Sequence, residues 1–195
     1  MSATVLYMSM SLDGFIAGPN DDHGNGLGDN GHRLHDWFFE GSDPRSHRPS
    51  GPSGDVFDEA MATGAVVVGR RTFELAGGWD GEHHDGVPIY VLTRREPEGG
   101  TPRWPLVTYV PDVATAMARA KEAAGDRNVL VHGARTAQLA LDAGVLDELV
   151  IHQIPVLLGE GRRLFDNLGP DHIELELTRI VDAPGVAHLY YRVRR

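Results

Sequence analysis

The sequence predicts an α/β fold with a mostly parallel central sheet, helices on both faces and an antiparallel hairpin at the carboxyl end. Three observations support this prediction. Strand-like and helix-like segments alternate through most of the chain, and parallel neighbours need such crossover connections. The runs AVVV and NVLV are apolar throughout, as expected of strands that are buried on both faces. The last two strand-like runs alternate in polarity and meet at Pro184-Gly185, which is typical of a hairpin.

The individual elements follow in order along the chain. Residues 4–9 predict a first strand, and the apolar spacing over 55–62 predicts a short helix with Asp55 as its amino-terminal cap. Between them, residues 19–54 are rich in glycine and proline and predict a long irregular loop within a single domain that covers 1–195. The remaining segments are a strand at 65–69, strands at 87–93 and 106–110, a helix ending at Gly125, a strand at 128–133, a helix ending at Gly144 and a strand at 147–159.

Composition narrows the classes of partner. The chain has 18 basic and 28 acidic residues and a formal net charge of -10, which argues against a nucleic-acid or anionic-membrane surface. It contains no cysteine, and its amino terminus lacks the pattern of a secretory signal, so we expect a cytoplasmic protein. His83 and His84 lie in a turn rich in glycine and aspartate, where adjacent side chains usually point apart into solvent. We therefore expect no metal site.

Positive charge is nevertheless concentrated where three predicted strands end. The segments are Gly69-Arg70-Arg71-Thr72, Thr93-Arg94-Arg95 and His132-Gly133-Ala134-Arg135-Thr136. Each of them alone is more typical of a solvated turn. Because the carboxyl ends of parallel strands meet at one edge of a sheet, the three together favour an anion site for a phosphorylated cofactor. None of them matches a standard dinucleotide or P-loop fingerprint.

Taken together, these segments resemble a known family. The runs SMSLDGFIAG, VVVGRRTFE and VLVHGARTAQLALDAGVLDELVIHQIPVLLGEGRRLF, with the closing hairpin, are similar to the dihydrofolate reductase superfamily, in its branch typified by the RibD carboxy-terminal reductase domain. The resemblance implies an NADPH-dependent reductase, which often forms homodimers. It also implies a dihydrofolate reductase-like three-layer fold with about eight strands, and it covers nearly the whole chain outside 19–54.

The resemblance also implies roles for residues that match the motifs. Arg70 would bind the 2′-phosphate of NADPH, and Thr93 with Arg94 or Arg95 would flank its adenosine end. The pyrophosphate would lie at the helix that begins after His132. The implied cofactor residues are Ser9, Ile16, Ala17, Gly69, Arg70, Arg71, Thr72, Thr93, Arg94, Arg95, His132, Gly133, Ala134, Arg135 and Thr136. This chain departs from the family at His132-Gly133, where two adjacent glycines are common.

The catalytic and substrate residues carry alternatives. His152, or Asp13 of the S-L-D-G motif, could provide the proton that accompanies hydride transfer, although a histidine in such a strand is more often a core residue. Trp37 and Trp79 are candidate walls for a flat substrate, and otherwise packing residues. The expected reaction is hydride transfer to a small heterocycle or carbonyl compound, with 5-amino-6-(5-phosphoribosylamino)uracil as one candidate. The alternative is a non-catalytic sensor that binds NADPH or another phosphorylated ligand.

Overall fold

A computed structural model of the protein describes residues 2–39, 48–95 and 104–194. Its central sheet contains eight strands, and a separate small sheet pairs β2 (Phe15–Ala17) with β8 (Arg162–Arg163). The strands of the central sheet are β1 (Thr4–Ser11), β3 (Ala65–Gly69), β4 (Ile89–Leu92), β5 (Val107–Val110), β6 (Val129–His132), β7 (Glu148–Ile154), β9 (Leu175–Ala183) and β10 (Val186–Val193).

The strand order is β5-β4-β3-β6-β1-β7-β10-β9. All neighbours from β5 to β7 are parallel, whereas β10 is antiparallel to both β7 and β9. The chain turns between the last two strands at Gly185, whose φ of +77° is accessible to glycine. The predicted mixed sheet with a closing hairpin is confirmed.

Helices cover both faces of this sheet. On β3, Ala65 and Val67 face the helices α4 (Val113–Ala124) and α5 (Ala134–Asp142). Val66 and Val68 face the opposite side, with α2 (Pro52–Met61) and α3 (Arg70–Leu75). Because all four of these side chains are fully buried, the strand reads as a continuous apolar run, and the three-layer architecture is confirmed. No helix within the described ranges is long and apolar enough to cross a membrane.

The segment predicted to be a long irregular loop is partly helical. A 3₁₀ helix (Gly31–His35) runs into the short helix α1 (Asp36–Phe39), and buried Leu34 and Trp37 anchor both against the body. The predicted cap at Asp55 is wrong, since α2 begins at Pro52 and is preceded by Gly51. Proline suits a first helical position because its φ is already set. Residues 40–47, including His47, lie outside the described ranges.

Candidate functional site

The parallel part of the sheet opens, at the carboxyl ends of its strands, into a cleft of about 1490 Å³. The second half of β1, the end of β6 and the first turns of α3 and α5 contribute to its lining. Ligands of open α/β sheets bind at this edge. A site for one small ligand occupies roughly 300–1000 Å³, so the cleft has room for two ligands side by side.

Two strand-to-helix turns interlock beneath the cleft. Gly69 joins β3 to α3, and Gly133 joins β6 to α5. A Cβ atom on Gly69 would lie 2.9 Å from Oγ1 of Thr136, and one on Gly133 would lie 2.7 Å from Oγ1 of Thr72. Gly133 also has a φ of +93°, which other residues rarely adopt. Glycine at both positions therefore lets the two helix starts approach each other.

The start of α5 offers free hydrogen-bond donors to the cleft. The first backbone N–H groups of this helix, at Ala134, Arg135 and Thr136, have no intrahelical acceptor, and among the described residues no side chain caps them. Oγ1 of Thr136 is likewise buried and has no hydrogen-bond partner among the described residues. Such a helix start is suited to an anion. These unsatisfied donors fit the pyrophosphate of NADPH.

Most of the predicted cofactor residues meet in two places. The cleft is lined by Ser9, Ile16, Ala17, Arg71, Thr72, His132, Ala134 and Arg135, while Gly69, Gly133 and Thr136 lie directly behind it. A smaller pocket of about 240 Å³ brings Arg70 together with Thr93 and Arg95. Arg94 is exposed and lines neither space.

The arginines of the site differ in how free their charges are. Asp21 accepts hydrogen bonds from Arg71 at 2.9 Å and from Arg162 at 3.0 Å. Burial opposes ionisation of Asp21, but these two guanidinium groups lower its pKa overall. Arg70 pairs with Glu74 at 2.6 Å, whereas Arg95 is exposed beside it. Arg70 and Arg95 both line the smaller pocket, so a phosphate dianion there would meet them and would compete with Glu74, which also lines it, for Arg70. Arg71 lines the cleft instead and holds Asp21.

Aromatic and imidazole rings form one wall of the cleft. The ring of Tyr7 lies 4.1 Å from that of His152, centroid to centroid, and Trp37 lies 4.7 Å from the same imidazole. Trp79 packs 6.0 Å from His132 on the other side of Tyr7. Both tryptophans line the cleft. We call the part of the cleft that these rings line the imidazole chamber.

Each tryptophan is positioned by a specific contact. The indole N–H of Trp37 donates to Oγ of Ser9 at 3.0 Å, and both side chains are buried. Trp79 lies in a turn in which Gly77 to Asp80 all have positive φ, including 47° at Trp79 itself. That conformation costs about 1–2 kcal/mol at a residue other than glycine. Packing of Trp79 against Phe73 and His83 supports the strained turn.

The hydrogen bonds of His132 fix its tautomer. Its Nδ1 lies 3.0 Å from the backbone carbonyl oxygen of Tyr7, which can only accept, so Nδ1 carries the proton. Burial lowers the pKa of His132 to about 4, so the ring is neutral near pH 7. Its Nε2 is therefore a lone-pair acceptor, and this atom is buried without a partner in the described part of the chain.

The expectation that His83 and His84 point apart into solvent is wrong. Their Nδ1 atoms lie 2.8 Å apart, and the ring of His83 stacks 5.2 Å from that of His132. Nε2 of His84 donates to the carbonyl oxygen of Thr63 at 3.2 Å, so its Nδ1 accepts the proton of His83. The exclusion of water by these packed rings explains the inward orientation. Across the described residues, no three histidine or acidic side chains converge as metal ligands would.

The two candidate proton donors lie in different surroundings. His152 is 1% exposed and lines the cleft, whereas Asp13 does not line it. The carboxylate of Asp13 accepts from the hydroxyl of Ser11 at 2.6 Å and from the backbone N–H groups of Leu158 and Gly159. These bonds, that from Ser11 first, lower the pKa of Asp13 to about 2. Asp13 is thus an ionised anchor for a loop, and its geometry does not support proton donation.

The pKa of His152 also differs from the expectation of a value near neutrality. Burial, and then the neighbouring imidazole of His188, lower it well below 6.5. The physical reason is that a charge on this ring would have no water around it. His152 is therefore a neutral imidazole at neutral pH, with its Nε2 buried and without a partner among the described atoms.

Sequence reasoning missed Tyr7, His35, Ser53 and His188. His35 lines the chamber from the 3₁₀ helix, and burial lowers its pKa to about 4. His188 lies directly opposite His152 in the register of β10 and β7. A signal for this contact was present in the sequence, since His152 and His188 both lie on predicted strands. Their contact could not be deduced without the register of the two strands.

Comparisons with known proteins agree with this geometry. The model of the RibD C-terminal domain family matches residues 3–189. No curated protein gave a significant match. A Shewanella sp. PV-4 protein, provisionally assigned to riboflavin biosynthesis, has a similar structure with a TM-score of 0.74, 22% identity and 99% coverage of both chains.

Two larger proteins contain a similar unit. Acinetobacter baumannii RibD aligns over 100% of this chain and 59% of its own length, with a TM-score of 0.64 and 17% identity. The second is a Thermotoga maritima diaminohydroxyphosphoribosylaminopyrimidine deaminase and 5-amino-6-(5-phosphoribosylamino)uracil reductase. It aligns over 99% of this chain and 57% of its own length, with a TM-score of 0.63 and 16% identity. At these identities the likeness shows the shared fold.

Proposed function

The chain belongs to the RibD C-terminal domain family, and from this premise we propose that it is an NADPH-dependent reductase of a small, flat heterocycle or carbonyl compound in the cytoplasm. The observation that carries the proposal is the pairing of two sites in one cleft. An uncapped helix start suited to a pyrophosphate lies beside a chamber of neutral imidazoles and aromatic rings.

The cofactor end of the cleft is built to hold a dinucleotide. The backbone N–H groups at the start of α5 would bind the pyrophosphate, because no side chain of the described residues caps them. Arg70 and Arg95 would bind the 2′-phosphate and select NADPH over NADH, since a guanidinium fork matches a phosphate dianion. Ile16 and Ala17 would contact the nicotinamide, and NADPH bound there would supply the hydride.

The imidazole chamber would hold the substrate. Its buried atoms without a hydrogen-bond partner in the described ranges are Oη of Tyr7, Nδ1 of His35, Nε2 of His132 and Nε2 of His152. Burying unsatisfied polar groups costs about 1–3 kcal/mol each, so a ligand that bonds to them recovers that cost. Trp37 and Trp79 would contact the flat faces of such a ligand. A heterocycle with ring N–H groups and carbonyl oxygens, such as a pyrimidine, has this pattern.

His152 would supply the proton that accompanies hydride transfer. It is neutral near pH 7, it lines the cleft, and its buried Nε2 has no competing hydrogen bond from the described residues. Ser9 would act indirectly, by holding the indole of Trp37 against the same imidazole. We therefore propose His152 as the proton donor in preference to Asp13, whose ionised carboxylate accepts three hydrogen bonds and does not line the cleft.

The proposed function is tested by binding and then by turnover. Thermal-shift titrations compare NADPH with NADH, followed by NADPH oxidation with 5-amino-6-(5-phosphoribosylamino)uracil, other pyrimidines, pterins and quinones. We expect stabilisation by NADPH and oxidation with at least one flat heterocycle. NADPH binding with no turnover on any compound would instead identify a cofactor-binding sensor. No stabilisation by NADPH would contradict both the reductase and the NADPH-binding sensor.

We also propose that the protein forms a homodimer through the outermost strand of its sheet. On β9, Leu175, Leu177 and Ile180 are 40%, 50% and 56% exposed. An apolar edge of this kind favours pairing with a second copy, because each buried apolar side chain contributes about 1.5–3 kcal/mol.

A further inference from the structure

A line of hydrogen bonds leads from the imidazole chamber through the sheet to the start of α2. Nδ1 of His152 lies 2.8 Å from Nδ1 of His188. On the far side of that ring, Nε2 of His188 lies 3.0 Å from Oγ of Ser53. All three side chains are buried, at 1%, 0% and 5% exposure in that order. Gly51 and Pro52, the two residues that precede Ser53, are exposed, so the line ends close to solvent.

The bond between the two imidazoles restricts where protons can lie. Two nitrogen atoms 2.8 Å apart share one proton, so one Nδ1 donates and the other accepts. If His188 donates, its Nε2 accepts from Ser53, and His152, which lines the cleft, carries its proton on Nε2. If His152 donates, Nε2 of His188 donates to Ser53, and Nε2 of His152 is a bare lone pair. A serine hydroxyl can both donate and accept, so both arrangements are fully bonded.

We propose that Ser53, His188 and His152 form a proton relay that delivers a solvent proton to the substrate during reduction. This inference rests on the proposed reductase function. In the delivering step, the Nε2–H bond of His152 breaks and its proton bonds to the substrate atom that gains electrons. The Nδ1 proton of His188 moves to Nδ1 of His152, and the hydroxyl proton of Ser53 moves to Nε2 of His188. A water molecule gives a proton to Ser53 and leaves as hydroxide, which the buffer neutralises. After product release, water in the cleft protonates Nε2 of His152 and the other protons shift back, which restores the first arrangement. Each protein group is neutral before and after the step.

Such a relay explains how a buried imidazole can act as an acid without first becoming an imidazolium. Burial lowers the pKa of His152 well below 6.5 and, with the charge of Arg179, that of His188 to about 4. The titratable groups that face this pair are Tyr7 on β1, His35 on the 3₁₀ helix, His132 on β6 and Arg179 on β9. The carboxylate of Glu59 on α2 lies close by, but it accepts hydrogen bonds from Arg179 and from the hydroxyl of Tyr190, so its charge is offset by the guanidinium. A neutral relay therefore works at the same rate across neutral pH.

The first test reads the tautomers of the free, full-length protein. In protein labelled with ¹⁵N-histidine, long-range ¹H–¹⁵N spectra distinguish protonation at Nδ1 from protonation at Nε2. We expect ¹⁵N shifts of His152 and His188 averaged between the two tautomers. Ser53→Ala removes the group that adapts to both arrangements, so the shifts should move to those of one fixed pair, whereas Ser53→Thr keeps the averaging. The matched control is Ser50→Ala, which removes the hydroxyl of an exposed serine three residues before Ser53.

The second test follows NADPH oxidation with 5-amino-6-(5-phosphoribosylamino)uracil in single turnovers from about pH 6.5 to 8.5. The relay predicts a flat rate for the parent protein and for Ser50→Ala. Ser53→Ala should be about tenfold slower at the upper end of this range and should recover as the pH falls, because delivery then needs an imidazolium. Ser53→Thr should restore the flat profile, and NADPH affinity should be unchanged in all three variants.

The two tests separate the relay from the proposed function. A single fixed tautomer pair in the parent, unaffected by Ser53→Ala, overturns the relay whatever the kinetics show. Identical pH profiles for the parent protein and Ser53→Ala overturn it as well. Averaged tautomers that depend on Ser53, in a protein that does not bind NADPH, support the relay geometry and contradict the reductase function.

Discussion

Mild acid is predicted to unfold the protein, because the fold holds five imidazoles in or beside the cleft in their neutral form. Burial lowers the pKa of His35, His132 and His188 to about 4, that of His83 to about 2 and that of His152 well below 6.5. The unfolded chain binds a proton at each of them below about pH 6.5, whereas the native state does not. The contribution of these histidines to the free energy of unfolding is therefore fully present above about pH 6.5, and it is lost as the pH falls towards 4.

The size of the effect follows from these shifts. At about pH 5, linkage gives a loss of about 2 kcal/mol for each histidine whose pKa drops from 6.5 to near 4. His152 and His188 are 1% and 0% exposed, so solvent screens their shifts little. Because a domain is stable by only about 5–15 kcal/mol, the five histidines together can remove most of the free energy of unfolding.

Urea unfolding followed by tryptophan fluorescence, repeated from about pH 8 to 5, measures this loss. Each proton taken up on unfolding contributes about 1.4 kcal/mol per pH unit, so we expect a slope of about four to five protons near pH 5.5. His188→Asn should lower the slope by one proton. His172→Gln, at a side chain that is 86% exposed, is the matched control. A free energy of unfolding that stays constant from pH 7.5 to 5 would show that the native state does not hold these histidines in their neutral form.

Three further predictions concern individual side chains. Arg70→Ala should weaken NADPH binding about tenfold and leave NADH binding unchanged in calorimetry, whereas Arg94→Ala, which lines neither pocket, should change neither affinity. Trp37→Ala should lower the free energy of unfolding by about 3–5 kcal/mol, and Ser9→Ala by about 1–3 kcal/mol because the indole N–H loses its acceptor, both measured in urea. Ile180→Lys should raise the dimer dissociation constant at least tenfold in sedimentation experiments, and an unchanged mass would argue against the β9 interface.

The fold could be predicted because local sequence signals agree with it. The run AVVVG is apolar at every position, and only a strand covered on both faces buries all of it. The glycines at 125 and 144 both lie just beyond the ends of helices, as predicted. The start of α2 could not be placed correctly, because the acidic residue at 55 is as typical of a cap as of a first turn.

The site could be predicted only in part, for a physical reason. Residues at strand ends share one edge of the sheet whatever the register, so the approach of Gly69, Gly133 and Thr136 followed from topology. The contact between His152 and His188 depends instead on the register of two strands that lie 36 positions apart in the chain. A shift by one residue would turn His188 to the other face. No local pattern sets that register.

Calorimetric titration with NADPH and NADH is the most direct test of the proposal that the cleft binds NADPH, because it needs no knowledge of the substrate. The account predicts saturable binding of NADPH at one site per chain, at least tenfold tighter than that of NADH, because Arg70 and Arg95 meet the 2′-phosphate. Equal affinity for the two cofactors would contradict the role of these arginines. Absence of NADPH binding would contradict the assignment of the cleft as a reductase site.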